Sequence, residues 1–198
     1  YVGIMSGLNK KEYKAQIDYY LKKTGLIEQE NKKNRQLSGG MKRRVGLVQA
    51  LIHNPSILIV DEPTTGLDPE ERIRIRNLLV DFASNRTVLF STHITEDLAA
   101  TCDKLCIMHK GKIVYDGGIS DLIASADNHV FCSAFHNEMD FQKFQKNYRI
   151  TSKVYKSNAI EAKFVSETVP SIECDVCVPT LEDSYIYRLH IKEKEERV

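Results

Sequence analysis

Long apolar runs are absent from this sequence. Across 198 residues no stretch approaches the eighteen or so consecutive apolar residues that cross a bilayer as a helix. The opening residues also lack the charged, apolar and small-residue order of a secretory signal. Neither sign of charge prevails: 28 basic residues meet 27 acidic ones, for a net charge of +1. That balance argues against the basic footprint of a nucleic-acid binder and against a polybasic membrane patch. The five cysteines are odd in number and unevenly spread, which argues against a disulfide framework and for a reducing cytosol. Repeats and low-complexity tracts are missing too. The chain opens on Tyr1 rather than Met and runs straight into an apolar segment, so it is read as a fragment. What remains is an ordinary core-forming composition, long enough for one large domain or a domain with an appendage.

The informative stretch lies between Leu37 and Asp68. Ser38-Gly39-Gly40 stands before a helix expected over Gly40 to His53, with Val45, Val48, Leu51 and Ile52 as its apolar stripe. A serine hydroxyl, two backbone N–H groups without a Cβ beside them and a helix N-terminus make a phosphate-binding arrangement. A lone Ser-Gly-Gly is more often a plain helix cap. Asn54-Pro55 ends the helix, because the residue before proline avoids the α region. Ile57-Leu58-Ile59-Val60 then reads as a buried parallel strand ending in Asp61-Glu62. Two adjacent carboxylates at the C-terminal end of such a strand suit phosphoryl transfer to water, one holding Mg²⁺ and the other polarising the water. Pro63-Thr64-Thr65-Gly66-Leu67-Asp68 follows, with Asp68 as N-cap and Pro69 at the first helical position. Ile73, Ile75, Leu78, Leu79 and Phe82 are the inward face of that helix. Thr87 to Ser91 is a second buried strand, and His93 stands just past its end.

These pieces, in this order, resemble the second half of an ATP-binding-cassette (ABC) ATPase domain. LSGGM looks like that family's signature motif, ILIVDE like its Walker B strand, TGLD like its D-loop and Ser91-Thr92-His93 like its switch histidine. The resemblance implies an α/β fold: a helical signature subdomain with a parallel-sheet core over 1–125, followed by a small α+β domain over 126–198. It implies Mg²⁺ held by Asp61 through water, Glu62 as the general base, and His93 at the γ-phosphate. Ser38, Gly39 and Gly40 would close over ATP bound to a second ATPase subunit. Asp68 keeps two readings, a helix cap and a residue at the dimer seam. Met41 stands where many members carry Gln, and a thioether cannot repeat an amide's hydrogen bond. The family's P-loop, GxxxxGK[ST], is not among these residues: the one Gly-Lys pair, Gly111-Lys112, is followed by Ile113 on an expected hairpin turn.

Around this stretch the pattern is plainer. Asn9 with Glu12 reads as a capping box for a helix carrying Tyr13, Ile17, Tyr20 and Leu21, stopped at Gly25. Residues 26–36 are polar and carry no clear period. A helix near Thr95 to Thr101 and a hairpin from Leu105 to Tyr115 lead to Ser120 to Ser125, and Ala126-Asp127-Asn128 reads as a linker. Beyond it come strands at Val130 to Phe135, Tyr148 to Tyr155 and Ile160 to Val165. Helices are expected at Met139 to Asn147 and Thr180 to Leu189, with a frayed charged tail from Lys192 to Arg197. The close of the chain, a proline before a leucine-acid-acid helix, resembles the tail of ABC-2-type exporter ATPases. Cys174-Asp175-Val176-Cys177 invites a zinc reading, but strand alternation separates the two thiols and no second ligand pair follows. Cys102 and Cys106 are read as buried fillers, and His53, His109, His129, His136 and His190 as surface groups. Arg35, Lys42, Arg43 and Arg44 are read as a solvated basic face.

The expected function is the ATP-binding and hydrolysing subunit of an ABC exporter, inactive as this fragment alone. Its cofactors would be ATP and Mg²⁺, and its partners a second ATPase subunit and an integral membrane permease, without nucleic acid. It would lie in the cytoplasm against the inner face of the membrane. The alternatives are a binding-only remnant and a non-transport cassette ATPase acting on nucleic acid or ribosomes.

Overall fold

The computed structural model describes residue 7 and residues 9–196; the apolar opening segment and Arg197 lie outside them. The described chain divides into two compact units between Thr101 and Cys102.

In the first unit, helix α1 (Lys10–Lys23) begins at the Asn9 capping box: the Asn9 side chain accepts from the Glu12 amide at 3.0 Å, and Glu12 Oε2 accepts from the Asn9 amide at 3.1 Å. It ends at Gly25, whose φ of +68° is open to glycine at little cost. The unpatterned stretch after it folds into two short 3₁₀ turns, Ile27–Gln29 and Asn34–Gln36, pinned by the buried Leu26. Helix α2 (Gly39–Leu51) follows, then strand β1 (Ile57–Asp61), helix α3 (Pro69–Ala83), strand β2 (Thr87–Ser91) and helix α4 (Thr95–Thr101). The two strands pair in parallel, with Asp61 opposite Ser91. Tyr20, Leu47, Val48, Leu51, Leu58, Ile75, Leu78 and Phe82 share one core. Among the described residues only one face of the strand pair meets that core. Ile57, Ile59 and Leu89 are 62%, 73% and 62% exposed, so strands expected to be buried on both faces are buried on one. Ile73, expected inward, is also exposed.

The second unit opens with the antiparallel pair β3 (Lys104–His109) and β4 (Lys112–Gly118), followed by helix α5 (Ile119–Ala124). Lys110 and Gly111 both have positive φ, which suits the twist of a tight hairpin. An antiparallel sheet in the order β6-β7-β5-β8 then forms from β5 (Val130–Phe135), β6 (Arg149–Tyr155), β7 (Ile160–Val165) and β8 (Asp175–Val176). Helix α6 (Glu138–Phe144) lies between β5 and β6, and α7 (Leu181–Glu195) closes the chain. Thr180 caps α7 through a capping box with Asp183.

Several expectations change here. The contact boundary falls ahead of the one expected after Ser125, because the hairpin packs with the second unit: Arg188 Nε on α7 donates to the Val114 carbonyl at 3.1 Å. Ala126, read as linker, is wholly buried beside Val130 and Tyr187. The tail read as frayed is helical to Glu195, and Lys194 pairs with Glu167 at 2.8 Å. Cys132 and Cys177 form a disulfide, against the expectation of none. Pairing of β8 with β5 brings these residues together across 45 positions, which no local spacing could announce. Cys174 instead packs on the phenylalanine cluster of Phe131, Phe144 and Phe164, away from the cluster that Cys177 meets. Cys106 is exposed, and its thiol donates to Asp116 at 3.3 Å. His129 is half-buried and stacked on Tyr187, and His190 is half-buried near Glu167, so neither is a surface group.

Candidate functional site

The parallel register places Asp61 and Glu62 at the end of β1 beside Ser91 at the end of β2. Ser91 Oγ donates to Asp61 Oδ1. Glu62 sits in the left-handed region at φ +47°, unusual for a residue with a Cβ, and its amide donates to the Ser91 carbonyl at 3.0 Å. That turn aims its carboxylate at His93. Glu62 Oε1 accepts from the His93 amide at 3.1 Å and lies 2.7 Å from His93 Nδ1, while Thr65 Oγ1 donates to Glu62 Oε2 at 2.6 Å. Partial burial works to raise the Glu62 pKa, but the donors from Thr65 and His93 together outweigh it and hold the carboxyl below its ordinary value. Glu62 is therefore ionised at neutral pH, as an acceptor for a water proton must be.

Ser38 caps α2, accepting from the Met41 amide at 3.2 Å. Among the described residues Gly39 faces open space, whereas Gly40 lies against Leu67 of the Thr-Gly-Leu-Asp turn. Arg43 donates to the Thr65 carbonyl, so the Ser-Gly-Gly turn and the segment after Glu62 are held by one helix. Asp68 accepts from the Glu71 amide at 2.9 Å and caps α3 behind Pro69, the first of its two readings. Asp61 and Glu62 are thus joined to His93 in one cluster, and Ser38, Gly39 and Gly40 to the following turn in another. Asp61 and the Ser91 hydroxyl are hard oxygen donors of the kind Mg²⁺ accepts alongside several waters. Among the described residues no group of three His, Cys, Asp or Glu side chains forms a ready metal site, so other oxygens would complete the shell.

The residues from 4 to 65 match the model of the ABC transporter family, a span that takes in Ser38, Gly39, Gly40, Asp61 and Glu62. The sequence is 35% identical over 157 residues to the uncharacterised ABC transporter ATP-binding protein YxlF of Bacillus subtilis, covering 79% of this chain and 53% of that protein. It is 37% identical to the ABC transporter ATP-binding protein NatA of the same organism, over 67% of this chain and 56% of NatA. The chain belongs to the ABC transporter ATP-binding family. It is 39% identical to Nod factor export ATP-binding protein I of Paraburkholderia xenovorans, over 60% of this chain and 40% of that one. Among solved structures, CbiO1 of Clostridium perfringens, described as part of the ABC transporter complex CbiONQ, superposes with a TM-score of 0.52 at 31% identity, over 62% of this chain and 51% of the other. An ATP-binding subunit of an ABC transporter superposes at 0.57 and 28% identity, over 63% and 52%. The fold is the α/β fold of ABC ATPase subunits. The chain spans about half the length of the first curated relatives it matches.

Several residues around these clusters carried no motif signal of their own or were placed by contacts that the motifs do not encode. Thr64 is buried and donates to Asp97, itself 1% exposed and held by Arg72 and Arg76 of α3. Thr65 and Ser91 lie within recognised motifs, yet the turn at Glu62 brings the Thr65 hydroxyl onto its carboxylate, and the β1–β2 register brings the Ser91 hydroxyl onto Asp61. Arg44, placed with a solvated basic face, is 5% exposed: it donates to the Thr24 carbonyl at 2.9 Å and pairs with Glu71. The signal available was its position, one residue before the apolar stripe. A buried charge persists only when paired, and Glu71 on α3 supplies the partner.

Proposed function

We propose that the chain acts as the ATP-binding and ATP-hydrolysing part of an ABC exporter. The observation that carries this reading is the Asp61–Glu62–His93 cluster at the ends of two paired parallel strands. Glu62, ionised and held by Thr65 and His93, orients the attacking water and takes its proton. His93, 70% exposed at its side chain, faces the terminal phosphate. Asp61 and Ser91 would hold Mg²⁺, which when bound would neutralise phosphate charge. Ser38, Gly39 and Gly40 present N–H groups at a helix N-terminus to the ATP of a second ATPase subunit, and Asp68 lies along the seam between the two. The export role rests on likeness to proteins such as Nod factor export ATP-binding protein I. Among the described residues no helix is long and apolar enough to cross a membrane. The proposed partner is accordingly an integral permease, with the ATPase docked on the cytoplasmic face of the membrane.

Glu62→Gln tests this reading in the ATP-hydrolysing protein, the chain joined to a P-loop-bearing polypeptide. The amide keeps the shape and removes the charge. Turnover should fall by about 10²–10⁴-fold while ATP binding is retained. Turnover at the wild-type rate would remove Glu62 from the role assigned to it.

A further inference from the structure

The carboxylate of Asp97 joins three segments that carry the candidate site. It accepts from Thr64 Oγ1, from Arg72 Nε at 2.7 Å and from Arg76 Nη1 at 3.4 Å. Thr64 is 2% exposed and stands in the turn directly after Glu62, beside the threonine whose hydroxyl binds Glu62. Asp97 itself lies in the first turn of α4, the helix that begins just after His93. Arg72 and Arg76 belong to α3, which Asp68 caps. One buried anion therefore fastens the Glu62 turn, the His93 segment and the helix behind the Thr-Gly-Leu-Asp turn. A desolvated charge with three donors resists displacement, since moving any segment away would leave buried groups unpaired. Glu62 needs such restraint: a non-glycine residue in the left-handed region is strained and persists only where its surroundings hold it.

We propose that Asp97, acting through Thr64, is a positioning residue that sets the Glu62 turn against His93. The proposal rests on the reading that Glu62 and His93 work on the phosphate end of ATP. A purely structural buried ion cluster would stabilise the whole unit evenly. A positioning residue controls one local contact, the hydrogen bond from the His93 amide to Glu62 Oε1.

Hydrogen exchange followed by NMR on the chain itself separates the two roles. Thr64→Val replaces the hydroxyl with a methyl group and should speed exchange of the His93 amide by about tenfold, while the β1–β2 ladder amides keep their rates. Thr64→Ser, which retains the hydroxyl, should match the wild type. Asp97→Asn should act on the same amide at least as strongly as Thr64→Val. Glu96→Gln, at an exposed partner of Arg72, should leave it unchanged. In the ATP-hydrolysing protein, Thr64→Val should lower kcat by about tenfold at unchanged KM for ATP. Equal acceleration across the ladder and His93, or an unmoved His93 amide with unmoved kcat, would overturn the proposal. If Asp97→Asn does not fold, the two Thr64 variants carry the test. Wild-type turnover by Glu62→Gln, with the His93 amide still responding to Thr64→Val, would instead remove the functional reading and leave the coupling intact.

Discussion

Gly40 lies against Leu67: a Cβ built on Gly40 would stand 3.0 Å from Leu67 Cδ2 and 3.6 Å from the Gly66 carbonyl oxygen. The N-terminus of α2 and the turn before α3 thus touch through a glycine. A Cβ built on Gly39, one residue earlier, meets nothing within 4 Å among the described residues. Neighbouring glycines in one motif have different physical reasons to be there.

Substitution should separate them. Gly39→Ala is expected to leave stability unchanged or raise it by up to about 1 kcal/mol, since alanine favours helix and the space is open. Gly40→Val is expected to cost about 1–3 kcal/mol by forcing Leu67 aside. Urea titration of both variants checks the pair, and equal midpoints would contradict the close approach. If the Ser38-Gly39-Gly40 turn receives phosphate as proposed, Gly39→Ala should still lower turnover in the ATP-hydrolysing protein, because its Cβ would obstruct those N–H groups.

Asp183 gives the second unit an acid limit. Burial pushes its carboxyl upward, but Lys163 and the Thr180 donors outweigh this and hold its pKa below the usual carboxylate value. The folded state therefore binds this proton more weakly than the unfolded chain. The resulting stabilisation is complete above the unfolded value of about 4 and is lost as pH falls through the lower folded value. The melting temperature should drop on acidification below about pH 4, and Asp183→Asn should start lower at neutral pH and fall less steeply. A parallel fall in both proteins would exclude Asp183 as a contributor.

The cysteines can be counted. Denatured without reductant, the chain should titrate three thiols outside the Cys132–Cys177 bond, those of Cys102, Cys106 and Cys174, and five after reduction. Reduction should lower stability by about 4 kcal/mol if loop closure across 45 positions dominates. Elemental analysis should find no stoichiometric zinc. Five thiols before reduction would contradict the Cys132–Cys177 bond.

Nucleotide binding by these 198 residues alone should be weak, with a Kd for Mg-ATP no tighter than about millimolar and no turnover. Carboxylates facing phosphates need a cradle of N–H groups and a lysine, and no GxxxxGK[ST] occurs in this sequence. The exposed Ile57, Ile59 and Leu89 should also favour self-association. Adding a P-loop-bearing segment should bring binding into the micromolar range. Calorimetry showing tight binding by the chain alone would place the nucleotide elsewhere.

Sequence by itself determined the local events. Asn9 with Glu12, Ser38 before Gly39, Asp68 before Pro69 and the Lys110-Gly111 turn act within a few residues, so their hydrogen bonds and dihedrals follow from residue type and spacing. The order of the Ser-Gly-Gly, Asp-Glu, Leu-Asp and Ser-Thr-His pieces likewise sufficed to indicate the family. Tertiary structure decided which of these residues touch. The left-handed turn at Glu62 and the register of β1 on β2 brought Glu62 to His93, and Asp97 and Arg44 became buried only because helices from distant positions paired their charges. The same holds for Cys132 and Cys177, joined by a strand pairing that neither sequence neighbourhood encodes. Period and capping are read along the chain, whereas burial and pairing depend on what another segment brings, and a linear pattern contains no distance between segments.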